Sequence, residues 1–295
     1  MISFSSNISP HFLSDRVFLW SLRIFALIAG CLFFLIVIFL IHEAWPALQQ
    51  LGLASFFTDA AWYPTESLYL LTPMLWGTFL ATLGSVLLSA PIGLLSALFI
   101  QYYAPSSLAI AYRRLIELLA GIPSVVFGLW GLVVLVPLIA SWHPPGPSLI
   151  AGILILFLMI LPTITLVIQS SLTQIPIAYI HNATALGLGR SSMIRKVILP
   201  AAKSGVFTGI FLGVARALGE TMAILMVCGN IVQTPSHLFD PIRTLTANIA
   251  LEMAYALGNH RSTLFVSGLM LMVVVVIFVF MAECLRYRKT YADEN

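Results

Sequence analysis

The apolar positions of this chain gather into long unbroken runs, at residues 17–41, 77–103, 115–140, 148–170, 205–232 and 262–284. A helix rises about 1.5 Å per residue and a bilayer core is about 30 Å thick, so roughly 20 apolar residues suffice to cross it. Runs apolar on every side offer no polar face to water, and they predict six membrane-spanning helices. The first run lies where a secretory signal would, beside Arg16 and Arg23, but it is too long and lacks a small-residue cleavage site. It is therefore expected to be retained as a span.

Two of the intervening segments carry patterns of their own. In residues 233–261, Pro235 and Asp240-Pro241 signal turns, Thr244 is an N-cap and Gly258 a stop, which predicts a helix over 244–256. About thirteen residues is too short to span, so a re-entrant or interfacial helix is expected. The re-entrant form brings Arg243, Asn248 and Glu252 toward the mouth of a passage; the interfacial form leaves them solvated. In residues 171–203, Pro176 opens a helix that Gly187 closes, and Ser191 or Ser192 caps a second that Pro200 stops. The two helices hinge at Gly187-Leu188-Gly189, and Ala183, Ala185, Leu186, Met193, Ile194 and Val197 are expected to leave apolar surface for a partner.

Composition agrees with the runs: 60% hydrophobic residues, 8% charged and a mean hydropathy of +1.02 exclude a soluble globule. Of fourteen Lys and Arg residues, eleven (Arg16, Arg23, Arg113, Arg114, Arg190, Arg195, Lys196, Lys203, Arg286, Arg288 and Lys289) fall at the N-terminus, in the second and fourth connections and at the C-terminus. The positive-inside rule then places both termini in the cytoplasm. The first outer segment, 42–72, holds Glu43, Asp59 and Glu66 without Lys or Arg, and its Trp45, Phe56, Phe57, Trp62, Tyr63 and Tyr69 form an expected aromatic belt. The net charge of +3 carries no nucleic-acid signal. Cys31, Cys228 and Cys284 have no paired spacing, so neither a metal nor a disulfide framework is expected and packing roles are.

Two full charges stand inside the fifth run. Arg216 is eleven residues from Gly205, about 16 Å into the span, and Glu220 lies one turn further at i+4, where the two can pair. An ionisable group at that depth costs about 2.5 to 3.5 kcal/mol on insertion scales, which makes each a candidate for function. An intrahelical pair that only neutralises buried charge is the alternative. Gly205, Gly209 and Gly213, continued by Ala217, form a small-residue stripe beside that face, suited to close packing at a subunit boundary or within the subunit. Gly121 and Pro123 are expected to kink the third span, static or hinged. Arg113 and Glu117 form another i, i+4 pair, read as an interfacial anchor. No G-x-x-x-x-G-K-[ST], HExxH or nucleophile-elbow motif is present, so energy for any pumping is expected to come from elsewhere.

Four stretches carry a family likeness. Ala183-Thr184-Ala185-Leu186-Gly187, with Leu199-Pro200 downstream, resembles the cytoplasmic EAA loop of ABC importer permeases, although His181 stands where that pattern has Glu and Asn182 where it has Ala. Segments 120–128, 216–223 and 243–250 resemble the C-type permease of phosphate-specific importers. The resemblance implies an all-α integral membrane protein with six spans and a type I ABC importer permease fold. Its expected layout is a tail and first span (1–41), an outer aromatic segment (42–72), a permease domain (73–284) and a cytoplasmic tail (285–295).

It also implies a bacterial inner-membrane subunit paired with a homologous permease, two cytoplasmic ATPases that bind ATP and Mg, and a periplasmic phosphate-binding protein. Under that resemblance Arg216, Glu220, Thr221, Arg243 and Asn248 are expected along the substrate pathway. Arg suits phosphate because its planar fork of donors binds an oxyanion bidentately, with Glu220 as its switchable counter-charge. Sulfate and molybdate share that chemistry, and an autonomous secondary transporter or channel is the alternative of a different class.

Overall fold

A computed structural model describes the backbone of residues 11–292 and the side chains of residues 18–281. Arg16, Cys284, Arg286, Arg288 and Lys289 therefore lie outside the described side chains. Helix α1 (His11–Thr58) leads to a two-stranded hairpin, β1 (Trp62–Tyr63) and β2 (Leu68–Tyr69), paired antiparallel with Trp62 opposite Tyr69. Then follow α2 (Thr72–Leu98), α3 (Ser106–Gly121), α4 (Ser124–Trp130), α5 (Val136–Trp142) and α6 (Leu149–Thr173). Short helices α7 (Ile177–Ala185), α8 (Arg190–Met193) and α9 (Leu199–Ala201) precede α10 (Lys203–Leu218) and α11 (Met222–Val227). An outer helix, α12 (Leu245–Glu252), and a long α13 (Gly258–Ala292) complete the order.

Among the described residues five helical stretches are long and apolar enough to cross a membrane, and six if α8 through α10, bent by 71°, count as one span. The most buried is α6, whose Ile155, Ile160, Ile164 and Ile168 have no solvent exposure. It is the axis against which α2 and α10 pack. Its first amides are not left bare, because Ser148 N donates to Val227 O, Leu149 N to Asp240 O and Ile150 N to Leu238 O, at 3.2, 2.9 and 2.8 Å. A helix end shielded from water requires such partners. The Asp240 carboxylate accepts from the amides of His237 and Ser236 at 2.8 and 2.7 Å, and these bonds, the His237 amide foremost, hold its pKa below the usual value. That contribution is present at neutral pH and is lost as pH falls through the folded pKa.

Several expected boundaries shift. Helix α1 runs past residue 41 to Thr58, with a non-helical Gly52 (φ 74°, ψ 157°), so part of the outer aromatic segment is helical. The run 115–140 is not one helix: α3 is amphipathic and ends at Gly121, and Pro123 precedes a separate span, Ser124–Trp142. Gly121 and Pro123 thus join two elements instead of kinking one. In the inner segment Gly189, not a serine, precedes α8, and helix continues through Pro200 to Ala201. The outer helix ends at Glu252, and Gly258 opens α13 instead of closing α12. Of the two described cysteines, Cys228 is buried and packs, whereas Cys31 is exposed.

The glycine stripe packs inside the subunit. A Cβ on Gly205 would collide with Ser171, on Gly209 would stand 2.9 Å from Ile168 Cγ1 and 3.3 Å from the Ile164 carbonyl, and on Gly213 would lie 2.7 Å from Ile164 Cδ1. All three partners belong to α6. Replacing Gly209 with Leu forces these helices apart and is expected to cost about 1–3 kcal/mol. Gly30→Leu, where a Cβ meets nothing within 4 Å, is the control. Thermal unfolding of the purified protein in detergent should fall for Gly209→Leu alone.

The outer cap is tied by one buried ion pair. Arg243 Nη1 donates to Glu252 Oε1 at 2.6 Å and to Asn248 Oδ1 at 3.0 Å, and its Nε donates to the Asn230 carbonyl at 2.9 Å. Glu252 Oε2 accepts from Trp62 Nε1 at 2.9 Å and lies 2.8 Å from His260 Nε2. The Arg243 and Glu252 side chains are only 18% and 8% exposed. Removing one partner of such a pair strands the other's charge, so Glu252→Ala is expected to cost about 3–5 kcal/mol. The same unfolding assay should show the loss.

Candidate functional site

The run 205–232 is a span in two pieces. α10 has 16 residues, about 24 Å, and stops at Leu218; Gly219, Glu220 and Thr221 form a break before α11 begins at Met222. Arg216 consequently sits in the last turn of α10, and Glu220 just ahead of α11. The pairing expected from their i, i+4 spacing does not form, because the helix that would bring them together ends between them. Each charge instead meets the end of a helix. The guanidinium lies at a C-terminus, where carbonyl dipoles favour a cation, and the Glu220 carboxylate accepts the Ala223 amide at 3.2 Å, capping α11.

This arrangement leaves Arg216 available. Its side chain is exposed, and among the described residues its only hydrogen-bond partner is Thr163 Oγ1 of α6, at 3.4 Å. A guanidinium carries five N–H donors, so most remain open to an oxyanion. Thr221 turns its hydroxyl to the Gly219 carbonyl at 3.3 Å and is half-buried at the break. Down the same face of α10 follow the exposed Ala215, Leu212, Thr208 and Ser204. On α6 Ser170 and Thr173 are exposed as well, but they border a separate pocket with Arg113 and Glu117 of α3. At the end of this face is a polar cavity of about 550 Å³, bordered by Ser171, Gln174, Tyr179, Ser204, Gly205 and Thr208. The cavities between α10, α2 and α13 are apolar and offer an anion nothing.

Arg243 and Asn248 are placed elsewhere. Both lie in the outer knot: Arg243 is held by Glu252, the Asn230 carbonyl and Asn248 Oδ1, while Asn248 Nδ2 is buried without a hydrogen-bond partner. Thr246 links this knot to the break, its hydroxyl donating to the Glu220 carbonyl at 2.8 Å. Thr163 and Thr246 are contacts that the sequence reading did not single out. Thr163 is 53 residues from Arg216 and carries no local signal. Thr246 lies within the segment 243–250 that carried the family likeness, but nothing in its neighbours foretells the carbonyl it reaches.

The inner segment forms the two short helices expected, hinged at Gly187 with φ +73°. Ala183, Met193 and Ile194 point inward and are buried, whereas Leu186 and Ile177 are 80% and 70% exposed beside the exposed Thr184, Ala185 and Gly187. Leu199 is partly covered and Pro200 is exposed. The Arg190 guanidinium lies 5.5 Å from the Tyr103 ring centre, joining this segment to the helical turn Phe99–Tyr103 that follows α2. Arg113 and Glu117 do pair, at 2.8 Å. Among the described residues no group of three or more His, Cys, Asp and Glu side chains is placed to hold a metal.

Comparison with known proteins supplies the context for this geometry. The family model described as "Binding-protein-dependent transport system inner membrane component" matches residues 89–290. A probable ABC transporter permease protein, YqgH, of Bacillus subtilis is 40% identical over 79% of this chain and 78% of its own. The phosphate transport system permease protein PstC of Mesorhizobium japonicum is 32% identical over 94% and 91%, and that of Pasteurella multocida 30% identical over 96% and 95%. Among solved structures, a bacterial alginate ABC transporter in complex with an alginate pentasaccharide-bound periplasmic protein gives a TM-score of 0.66 at 16% identity, covering 95% of this chain and 98% of that one. The inward-facing MetNI methionine ABC transporter gives 0.62 at 20% identity, covering 76% and 97%. Those two likenesses concern the fold alone. Taken with the broken span and the hinged inner helices, the match over residues 89–290 means that this multi-pass membrane chain belongs to the binding-protein-dependent transport system inner membrane component family and has the type I ABC importer permease fold.

Proposed function

We propose that the chain is the C-type permease subunit of an ATP-driven importer that carries inorganic phosphate into the cytoplasm by alternating access. The observation that carries this reading is Arg216, exposed at a helix break with most of its donors open. The phosphate permeases that match over nine-tenths of the chain favour phosphate as the oxyanion. The exposed face through Ser204, Thr208 and Arg216 is then completed by a homologous permease, so that the passage runs between two subunits. ATP and Mg are bound by two separate cytoplasmic ATPases, which dock at Leu186, Ile177 and the Gly187 hinge and transmit force through Arg190 and Tyr103. A periplasmic phosphate-binding protein delivers substrate at the outer cap, and both termini lie in the cytoplasm of a bacterium whose inner membrane holds the complex.

In this mechanism Arg216 receives phosphate bidentately, as Lys cannot. Glu220, held at the α11 N-terminus, supplies a nearby negative charge that prevents the anion from being trapped. The broken helix serves the same end, since irregular backbone at membrane depth is tolerated where it borders a cavity.

Arg216→Lys in assembled complexes should lower radiolabelled phosphate uptake by roughly 10- to 100-fold, the equivalent of one charged hydrogen bond. Glu220→Gln keeps an oxygen for the Ala223 amide but removes the charge, so uptake at saturation should fall while phosphate is released more slowly. Normal uptake by both variants would sink the transport role of the pair. Competition by sulfate or molybdate as effective as that by phosphate would reassign the substrate. Recovery of the chain active and free of ATPase subunits would favour an autonomous transporter.

A further inference from the structure

We infer that Thr246 is a positioning residue for transport: its hydroxyl holds the break between α10 and α11 in the form that separates Arg216 from Glu220. The bond runs from Thr246 Oγ1 to the Glu220 carbonyl at 2.8 Å, and Thr246 is 7% exposed. A carbonyl released by a helix break in apolar surroundings needs a donor, and here a side chain 26 residues further along the chain supplies it. Because that proton is committed, the neighbouring Thr244 hydroxyl, 3.1 Å away, donates to Thr246 and accepts the Ala247 amide at 3.3 Å. Each hydroxyl in the chain thus has one donor role and one acceptor role.

α12 itself is anchored at both ends. At its start Leu245 N donates to Thr78 Oγ1 of α2 at 3.0 Å, and the α2 backbone comes so near that a Cβ on Gly77 would stand 2.8 Å from the Arg243 carbonyl. At its end Glu252 is gripped by Arg243, Trp62 and His260. The helix is a strut between the outer cap and the break. A displacement of the cap on docking of an outer partner reaches Glu220 through the Thr246 hydroxyl, which changes how Glu220 and Arg216 face the passage. A bond that served folding alone would have no such effect on turnover.

This inference rests on the phosphate-transport reading, and the experiment separates the two. Complexes carrying Thr246→Val, which keeps the shape and loses the donor, and Thr246→Ser, which keeps the donor, are compared in proteoliposomes with the binding protein and ATP. Uptake at saturating phosphate is expected to fall about tenfold for Thr246→Val and to stay above half of the unaltered rate for Thr246→Ser. ATP hydrolysis stimulated by the binding protein should fall less than uptake for Thr246→Val, so that more ATP is consumed per phosphate moved. Added to Glu220→Gln, the Val substitution should cost less than a further twofold, because both act through one element.

Unimpaired uptake by Thr246→Val, equal impairment of Thr246→Ser, or a full further tenfold loss in the double variant overturns the positioning role. So does failure of Thr246→Val to assemble while Thr246→Ser assembles and transports normally, which marks the bond as structural. If Arg216→Lys is impaired and Thr246→Val is not, only the role of Thr246 fails; if Arg216→Lys transports phosphate normally, the anion site itself is wrong.

Discussion

A helix cannot stop inside a membrane without settlement of the backbone groups it releases, and the interruption at Gly219, Glu220 and Thr221 shows how this chain meets that demand. The Glu220 carboxylate takes an amide of α11, and Thr246 gives a proton to the Glu220 carbonyl. The consequence reaches beyond the backbone. A continuous helix would set Arg216 and Glu220 one turn apart and let them neutralise each other. The break gives each charge a helix end instead, and the guanidinium is left open on the face where a second subunit is proposed to sit.

That face exists because α6 takes the other side of α10. Without a Cβ at 205, 209 and 213 there is room for Ser171, Ile168 and Ile164, which brings the two helices close and leaves Ser204, Thr208 and Arg216 exposed. Small residues therefore do their work within the subunit, and the polar stripe beside them is what remains unpacked. The 71° bend between α9 and α10 carries the chain from this face to the short helices α7 and α8. Force applied at Leu186 in the proposed assembly would enter the same helix that ends at Arg216.

In the outer cap, residue types expected along a substrate pathway are engaged by neighbouring side chains. Arg243 and Asn248 are residue types an anion would use. In the fold Glu252, eight per cent exposed, claims the guanidinium, and Trp62 and His260 claim what remains of the carboxylate. Trp62 is 190 residues from Glu252 and His260 is eight, so no local pattern could foretell that they converge on one carboxylate. Such a knot gives α12 the rigidity that a strut requires.

Run length and composition by themselves determined that the chain crosses a membrane several times, because an apolar stretch of about 20 residues has no stable place in water. The hinged inner helices and the short outer helix were also legible, since Gly187, Pro176 and Thr244 act through local backbone geometry: Gly187 does adopt φ +73°, and Thr244 does cap α12. The tertiary structure alone decided where the spans break and which charges meet. Nothing in the run 205–232 signals that Glu220 is better satisfied by the Ala223 amide than by Arg216, or that a hydroxyl from α12 will close the gap. Those preferences depend on partners brought in from α6 and the outer cap, at distances along the chain that local periodicity does not encode.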